Sequence, residues 1–479
     1  MSTHSPGVPP KPNLDFYRKQ AKSLLKSARA GDMRAIERLE NKLALHAAQF
    51  AIARENGFAS WPKLRVHVLA AAGSAPLRFL PHVRGIKWYG ERVAGIVSMQ
   101  KSGLPEAMES IRRAHPKFAN ASDEEIRAAK FTNEDARIVL ARDHGFSTWN
   151  EFKSRIRAIK RGEFIEPFTQ AFDAIQAGDS IAFAQLLKNH PDLLNAQGTN
   201  GSSLLNLAVS LRRPAICKIL IDAGTDVDLP STRGVTPLHA TAHLNEPDIA
   251  RMLLEAGASP EVSAYGDGGT PLIMSLFGSH DATRDLLAAV GIFPDNLRAA
   301  AGVGRMDLVR ACFHGRDLTP QAIAHRGYYR LHTGFPLWTP TNSRQEILDE
   351  AFTYAARNGQ IGVLQFLLDM GADINGDPYR GTALDWSVRK SRMETVLWLL
   401  DHGADINRRA TFGGPKHGQG YTALHAAVDT NQFDFVKLLI ARGADPNIKE
   451  DNYHATPRGW AEHFGRTEMA EYLRQAEAG

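Results

Sequence analysis

Apolar and polar residues follow a helical period in the segment YTALHAAVDTNQFDFVKLLIARGADPN, which runs from Tyr421 to Asn447. Leu424 and its flanking alanines form the narrow apolar face of a first helix. The run from Phe435 to Ile440 gives a second helix that is apolar on most of its surface. Gly443 is placed to end that helix in the left-handed conformation. The segment therefore predicts two short helices joined by a turn, and such a pair has to stack on further copies to bury its apolar faces.

Two polar residues complete this unit. Thr422 precedes the first helix, where its side-chain oxygen can cap a backbone N–H. Asn431 lies between the helices, where a residue that tolerates a positive φ is needed.

Copies of the unit recur through the C-terminal two-thirds of the chain. The clearest marker is a leucine of the second helix, found at Leu186, Leu220, Leu253, Leu286, Leu367, Leu399, Leu439 and Leu473. Short motifs repeat with it: TPLH at 236–239, TALH at 422–425, and GADIN at 371–375 and 403–407. From Phe168 to its C-terminus the chain thus resembles the ankyrin repeat family, whose period is about 33 residues.

The resemblance implies a fold class and a mode of action. The fold is all-α, an ankyrin-repeat solenoid of eight or nine helix–turn–helix units with projecting turns, preceded by a small helical domain. Ankyrin arrays bind proteins along the concave surface that turn tips and first helices form. The array is expected to occupy residues 164–479.

The preceding residues are organised differently. Residues 1–13 are polar and rich in proline, which indicates a disordered leader without the apolar stretch of a secretion signal. Residues 14–160 show helical periodicity and contain one nonapeptide twice, ARENGFASW at 53–61 and ARDHGFSTW at 141–149. This pattern predicts a helical domain built from two related bundles. It resembles a helical preface found before some bacterial ankyrin arrays.

The nonapeptide has a clear physical interpretation. Gly57 or Gly145 ends a helix in the left-handed conformation, and the phenylalanine that follows folds back onto that helix. In the second copy, Thr148 and Glu151 fit a capping box for the next helix. A structural role as a helix anchor is favoured, and a ligand-binding role for the two tryptophans is the alternative.

Two insertions interrupt the array. The larger lies at about residues 315–340, where Tyr328, Tyr329, Phe335 and Trp338 are interleaved with arginines and histidines. Insertions in repeat proteins map to loops, often on the binding face, and aromatic and arginine side chains are common interface hot spots. The alternative is that these aromatics only fill the gap left by a shortened repeat. A smaller glycine-rich insertion covers residues 411–420.

Charge divides the chain into two parts. Residues 1–160 hold 28 Lys and Arg against 15 Asp and Glu, a net charge of +13, and residues 161–479 carry −8. A basic N-terminal part can attract nucleic acid, an anionic membrane or the acidic part of the same chain.

Candidate chemistry is sparse. Cys217 and Cys312 fall on apolar helix faces and are expected to be reduced core thiols. The histidines at 239 and 425 are expected to tie down inter-repeat turns, as the resemblance implies, and those at 314, 325 and 332 do not match a zinc spacing. No phosphate-binding glycine loop follows a strand, and no apolar run is long enough to span a membrane. We therefore expect no enzyme activity, no cofactor and no metal, in a cytoplasmic protein.

The sequence thus predicts a non-catalytic scaffold or adaptor that binds a protein partner through the concave face and insertion of its array. The alternative is a nucleic-acid-associated adaptor that uses the basic N-terminal domain. The candidate partner-binding residues, chosen for their aromatic or arginine character at tips or in the insertion, are Tyr265, Tyr328, Tyr329, Arg330, Phe335, Trp338, Tyr379, Arg380, Phe412 and Tyr453.

Overall fold

Helices form nearly all of the regular structure in the computed structural model. It describes residues 13–58, 61, 64, 67–68, 79–83, 85–103, 105–291, 296–327, 340–378, 381–411 and 419–478. The all-α class predicted from the sequence is confirmed. The exception within these residues is a two-residue antiparallel pair, β1 (Phe313–His314) and β2 (Asp317–Leu318), which was not predicted from the sequence. Contacts divide the chain into two units, one up to Gly266 and one from Asp267 onward.

The first unit begins with eight described helices. They are α1 (Leu14–Arg29), α2 (Met33–Arg38), α3 (Leu45–Glu55), α4 (Ile86–Ser102), α5 (Pro105–Ala114), α6 (Asp123–Ala128), α7 (Asn133–Asp143) and α8 (Trp149–Arg161). They form two separate hydrophobic clusters. One gathers α1 to α3 with Trp61, Leu64 and Val68, and the other gathers α4 to α8 around Tyr89 and Phe152.

Three helix pairs complete the first unit. They are α9 (Pro167–Ala177) with α10 (Ser180–Asn189), α11 (Leu204–Ser210) with α12 (Pro214–Asp222), and α13 (Pro237–Leu244) with α14 (Pro247–Glu255). Proline occupies the first turn in most of these helices, where its missing N–H is not needed.

The second unit contains six further pairs. They are α15 (Pro271–Gly278) with α16 (Asp281–Ala289), α17 (Leu297–Val303) with α18 (Met306–Ala311), α19 (Arg344–Arg357) with α20 (Ile361–Asp369), α21 (Ala383–Arg389) with α22 (Met393–Asp401), α23 (Ala423–Asp429) with α24 (Phe433–Ala441), and α25 (Pro457–His463) with α26 (Thr467–Ala478). A single hydrophobic cluster runs through this unit from Leu297 to Leu473.

The marker leucines confirm the repeat register with two corrections. Six of the eight, including Leu220 and Leu439, are fully buried. In the first and fourth pairs, however, the buried residue is the next one along, Leu187 and Leu287. Two adjacent leucines occur at each of these places, so spacing alone could not decide which one faces the core.

The repeated nonapeptide forms the helix end predicted for it. Gly57 and Gly145 have φ of 82° and 79°. The N–H groups of Phe58 and Phe146 donate to the carbonyls of residues 53 and 141 at 3.0 Å each, which closes the helix end. Thr148 and Glu151 form the predicted capping box. Trp61 is buried and the ring of Trp149 packs against Phe152, which supports the anchoring role.

Candidate binding surfaces

The Asp-x-Asn motif at the turn tips forms a ladder between successive helix pairs. The carboxylate of Asp373 accepts the N–H of Asn375 at 2.9 Å, and the side-chain oxygen of Asn375 accepts the N–H of Asp405 at 2.7 Å. The same two contacts recur one pair later, through Asn407 to the N–H of Asp445 at 2.8 Å. These conspicuous polar residues therefore hold the tips in register, and one side-chain oxygen of each is engaged within the chain.

Similar rungs occur in the first unit. Asn195 accepts the N–H of Asp226 at 2.7 Å, Asp226 accepts that of Asp228, and Asp228 accepts that of Ser259 at 2.8 Å. Asp226 and Asp228 are both buried. The turns after α12 and α14 are thus fixed by side-chain oxygens as well.

The two motif histidines close capping boxes at the starts of α13 and α23. The Nδ1 atoms of His239 and His425 accept the N–H groups of Thr236 and Thr422, each at 3.2 Å. The Nε2 atom of His425 also lies 3.2 Å from the carbonyl of Ala455, in the next pair. Burial lowers the pKa of His425 to about 4, so the ring is neutral at physiological pH. The tie between successive repeats that was expected of these histidines is confirmed for His425.

The described part of the larger insertion, residues 315–327, packs against the array. The β1–β2 hairpin and a 3₁₀ turn at Pro320–Ile323 lead to Arg326, whose side chain is 3% exposed. Its guanidinium donates to Glu350 at 2.7 Å and to Glu346 at 3.0 Å. Arg298 donates to the other Glu350 oxygen at 2.9 Å. This buried ion cluster fastens the insertion to α17 and α19.

Helix α19, to which the insertion is attached through Arg326, is buried over eleven consecutive residues, from Ile347 to Arg357. It packs against α15, α17, α20 and α21. Arg357 at its end lies between aromatic rings, with its guanidinium carbon 3.6 Å from the centre of the Trp386 ring and 4.5 Å from that of Phe277. These aromatic and basic side chains therefore contact one another within the array and do not form a binding surface.

Of the ten predicted partner-binding residues, two lie within the described residues. Tyr265 is half-buried and has a φ of 58°. Tyr453 is 76% exposed. The other eight lie outside the described residues: Tyr328, Tyr329, Arg330, Phe335, Trp338, Tyr379, Arg380 and Phe412.

Tyr453 is presented by a firmly held tip at residues 450–455. The side chain of Glu450 is fully buried, and its carboxylate accepts the N–H groups of Asn452 at 2.7 Å, Tyr453 at 2.9 Å and Ala455 at 3.3 Å. A surface ion pair between Arg409 and Asp451 joins this tip to the preceding one. The tip backbone is therefore fixed while the Tyr453 ring remains in solvent.

The smaller insertion begins and ends at a backbone bridge. Ala410 donates its N–H to the carbonyl of Tyr421 at 2.8 Å, and Gly420 donates to the carbonyl of Ala410 at 2.7 Å. Both Ala410 and Tyr421 are buried. The ends of the insertion are thus held together at the edge of the array.

The N-terminal helices of the first unit contact its helix pairs. Arg18 of α1 forms an ion pair with Asp226 at 3.0 Å. The segment at residues 79–83 lies between the two parts: Leu80 N–H donates to the carbonyl of Gln197 at 2.9 Å, and Thr169 Oγ1 donates to the carbonyl of Pro81 at 2.7 Å. His144 adds a 2.8 Å contact from Nε2 to Thr199 Oγ1. Opposite charge accounts for one of these contacts, and hydrogen bonds between neutral groups account for the rest.

No cluster of three or more His, Cys, Asp or Glu suited to a metal ion occurs among the described residues. His325 pairs with Asp267 at 2.9 Å in an exposed contact. Among the same residues, no helix combines the length and apolar character needed to cross a membrane.

Much of the C-terminal part of the chain matches models of a known protein family. A family model described as ankyrin repeats (3 copies) matches residues 171–264, 205–298 and 335–410, and an ankyrin repeat model matches residues 419–451. The chain belongs to the ankyrin repeat family. A search of curated proteins found no match.

Ankyrin repeats are in general protein–protein interaction modules. The matched residues include most of the helix pairs described above, and they leave out the N-terminal helices, the shortened α17–α18 pair and the final α25–α26 pair. Two residues that shape the ankyrin surfaces were missed in the sequence: Glu350 and Glu450. The signal for Glu350 was a charge within an otherwise apolar helix. Glu450 gave none, because an acidic residue in a polar turn is usually exposed.

Proposed function

We propose that this ankyrin protein is a non-catalytic scaffold or adaptor that binds a protein partner through its turn tips and its larger insertion. The observation that supports this most directly is the exposure of Tyr453 on a tip whose backbone the Glu450 carboxylate holds. A rigidly presented tyrosine offers a large contact area at a small cost in conformational entropy, which is why tyrosine is frequent among interface hot spots.

Other surface features favour the same conclusion. The ladder of Asp and Asn side chains keeps successive tips in register, so contacts made at different tips can act together on one partner. The tips themselves carry varied residues, such as Arg408 and Tyr453, on a framework whose polar motif is internally satisfied. Regular support with variable tips is the arrangement that repeat proteins use for specific binding.

A quantitative pull-down with mass spectrometry tests the proposal. The bait proteins are the wild type, Tyr453→Ala, a Tyr328→Ala/Trp338→Ala variant, and a Lys437→Ala control on the exposed face of α24. Deleting residues 316–338 is a poor choice, because it removes Arg326 and leaves the buried Glu350 without one of its two arginines. Circular dichroism verifies that each bait is folded.

The expected result is that one protein, recovered by the wild type and by Lys437→Ala, is reduced at least several-fold by Tyr453→Ala or by the insertion variant. Equal recovery by all baits would contradict a role for these surfaces. Recovery of mainly nucleic acid that is released by moderate salt would favour the alternative adaptor that uses the basic N-terminal domain, because phosphate contacts are strongly salt-dependent.

A further inference from the structure

A cavity of about 390 Å³ lies between α1 and the turn tips of the second and third ankyrin pairs. Its walls come from α1, from α3, from Trp61 and from the tips at residues 224–228 and 255–257. We refer to it as the helix–tip cavity. Ligand pockets for small molecules begin at about 300 Å³, so a ligand for this cavity has to be small.

One wall of the helix–tip cavity carries positive charge. Lys19 and Lys22 are three residues apart on α1 and therefore share a face of the helix. Neither forms an ion pair with any residue that the structure describes. The neighbouring Arg18 is engaged by Asp226. Two ammonium groups are thus available to a carboxylate at this wall.

The opposite wall offers a negative charge. Asp226 and Asp228 are occupied by Arg18 and by the N–H of Ser259. Glu255, at the end of α14, is exposed and has no ion-pair partner within the described residues. A ligand that extends from α1 to the tips therefore meets cations first and a carboxylate second.

A buried amide adds a more specific requirement. Gln49 of α3 lines the cavity and is 6% exposed, and its Oε1 atom has no hydrogen-bond partner among the described protein groups. Leaving a buried acceptor unsatisfied is costly, because the group has lost water without gaining a hydrogen bond in its place. A ligand with an N–H donor would remove this cost.

Apart from Thr225, whose hydroxyl donates to the carbonyl of Leu194 at 2.9 Å, the remaining side chains of the lining are apolar. Leu45, Trp61 and Ile221 supply hydrocarbon and ring surface between the charged walls. A fully polar ligand such as a free phosphate would leave this surface in contact with water. The lining instead matches a molecule with two charged ends and an apolar body.

We infer that the helix–tip cavity binds a small zwitterion with an apolar side chain, of the kind that an apolar α-amino acid or dipeptide represents. Its carboxylate pairs with Lys19 and Lys22. Its ammonium group donates to Gln49 Oε1 and pairs with Glu255, and its side chain packs on Trp61 and Leu45. A peptide terminus of a larger protein carries only one of the two charges and fits less well.

Isothermal titration calorimetry of the full chain at low ionic strength tests this site. The probes are L-leucine and L-leucyl-L-leucine, compared with N-acetyl-L-leucine, which lacks the ammonium group, and L-leucinamide, which lacks the carboxylate. At least one of the two zwitterions is expected to bind and to raise the midpoint of thermal unfolding. Each blocked compound is expected to bind at least about tenfold more weakly, because it loses a charged hydrogen bond.

Matched variants locate the binding. Lys19→Ala/Lys22→Ala is expected to weaken the zwitterion about tenfold, while Lys26→Ala, an exposed lysine further along α1, leaves affinity unchanged. Gln49→Met keeps the volume, removes the acceptor and is also expected to weaken binding. Absence of binding at millimolar concentration would overturn the inference. So would equal binding of the blocked compounds, or equal effects of the Lys19/Lys22 and Lys26 variants.

Discussion

Individual polar side chains in this protein serve mainly to fix its own backbone. Asn375 and Asn407 connect successive tips, His425 connects α23 to the following pair, and Glu450 shapes the tip that carries Tyr453. Because each of these groups holds backbone within the chain, replacing it should affect stability before it affects recognition.

Arg326→Ala is expected to lower the free energy of unfolding by about 3 to 5 kcal/mol, because it leaves the buried Glu350 with incomplete compensation. Urea unfolding measures the change, and hydrogen exchange of residues 344–357 locates it. The control is Arg316→Ala, whose side chain is exposed in the same insertion. Equal effects of the two variants would show that the buried ion cluster does not hold the insertion in place.

His425 gives the protein a defined pH response. Burial lowers its folded pKa from 6.5 to about 4, so the unfolded state takes up the proton first as pH falls. The associated stability is complete above pH 6.5 and is lost as the pH falls towards 4, by about 3 kcal/mol in all. Burial also raises the pKa of Asp385 to about 7, and this group has the opposite effect on stability.

The His425→Gln variant isolates this contribution, since glutamine at the third helical position keeps the capping box without titrating. Between about pH 7 and about pH 4.5, the wild type is expected to lose about 2 to 3 kcal/mol more unfolding free energy than the variant. Urea unfolding of both proteins at the two pH values gives this difference. Parallel losses would mean that His425 becomes protonated in the folded state at its ordinary pKa.

At the scale of elements, the sequence determines the helix pairs more directly than it determines the shapes of the turn tips between them. Gly443, Asn431 and the threonine caps occur where a helix end or a turn requires them, with φ of 91° at Gly443 and 57° at Asn431. The stacking of pairs then places tips side by side. The shape of the tip at residues 450–455 depends on one buried group, Glu450.

Glu450→Ala is expected to loosen the tip at residues 450–455, because three backbone N–H groups lose their acceptor. Hydrogen exchange of Asn452, Tyr453 and Ala455 should rise at least tenfold, and binding of any partner found through Tyr453 should weaken. Asp451→Ala, which removes only the exposed pair with Arg409, serves as the control and should change both quantities little. Unchanged exchange in Glu450→Ala would show that the tip is held by its flanking helices instead.

The extent of sequence-based prediction can be judged from particular residues. The Thr148–Glu151 capping box, the Gly-Phe helix ends and most of the marker leucines were predictable because they depend on neighbours within a few residues. The core position was assigned to Leu186 and Leu286, one residue before the buried Leu187 and Leu287, because both residues in each pair are leucine. The burial of Arg326 was not predictable, because its partner Glu350 lies 24 residues away and faces it only after the helices stack.

At the scale of the whole molecule, the α1–α3 bundle has a hydrophobic cluster of its own. Such a cluster can unfold separately from the α4–α8 cluster and from the one that spans the second unit. The protein is therefore expected to unfold in more than one step.

Ile52→Ala, in the core of the α1–α3 bundle, is expected to destabilise that bundle by about 2 to 5 kcal/mol. Hydrogen exchange should increase in α1 to α3 and remain unchanged for residues 347–357 of the second unit. The control is Met33→Ala, at a position that is 74% exposed. Increased exchange throughout the chain would instead indicate one cooperative unit.

The bridge between Ala410 and Tyr421 has a consequence for how such a protein can change over time. The rung from Asn407 to Asp445 is intact although the repeat here is 40 residues long, so the added residues do not disturb the stacking. The free energy of closing a flexible loop rises only slowly with its length. The segment between Ala410 and Tyr421 is thus a site where other peptide sequences can be inserted or exchanged without a change in the stacking of the helix pairs.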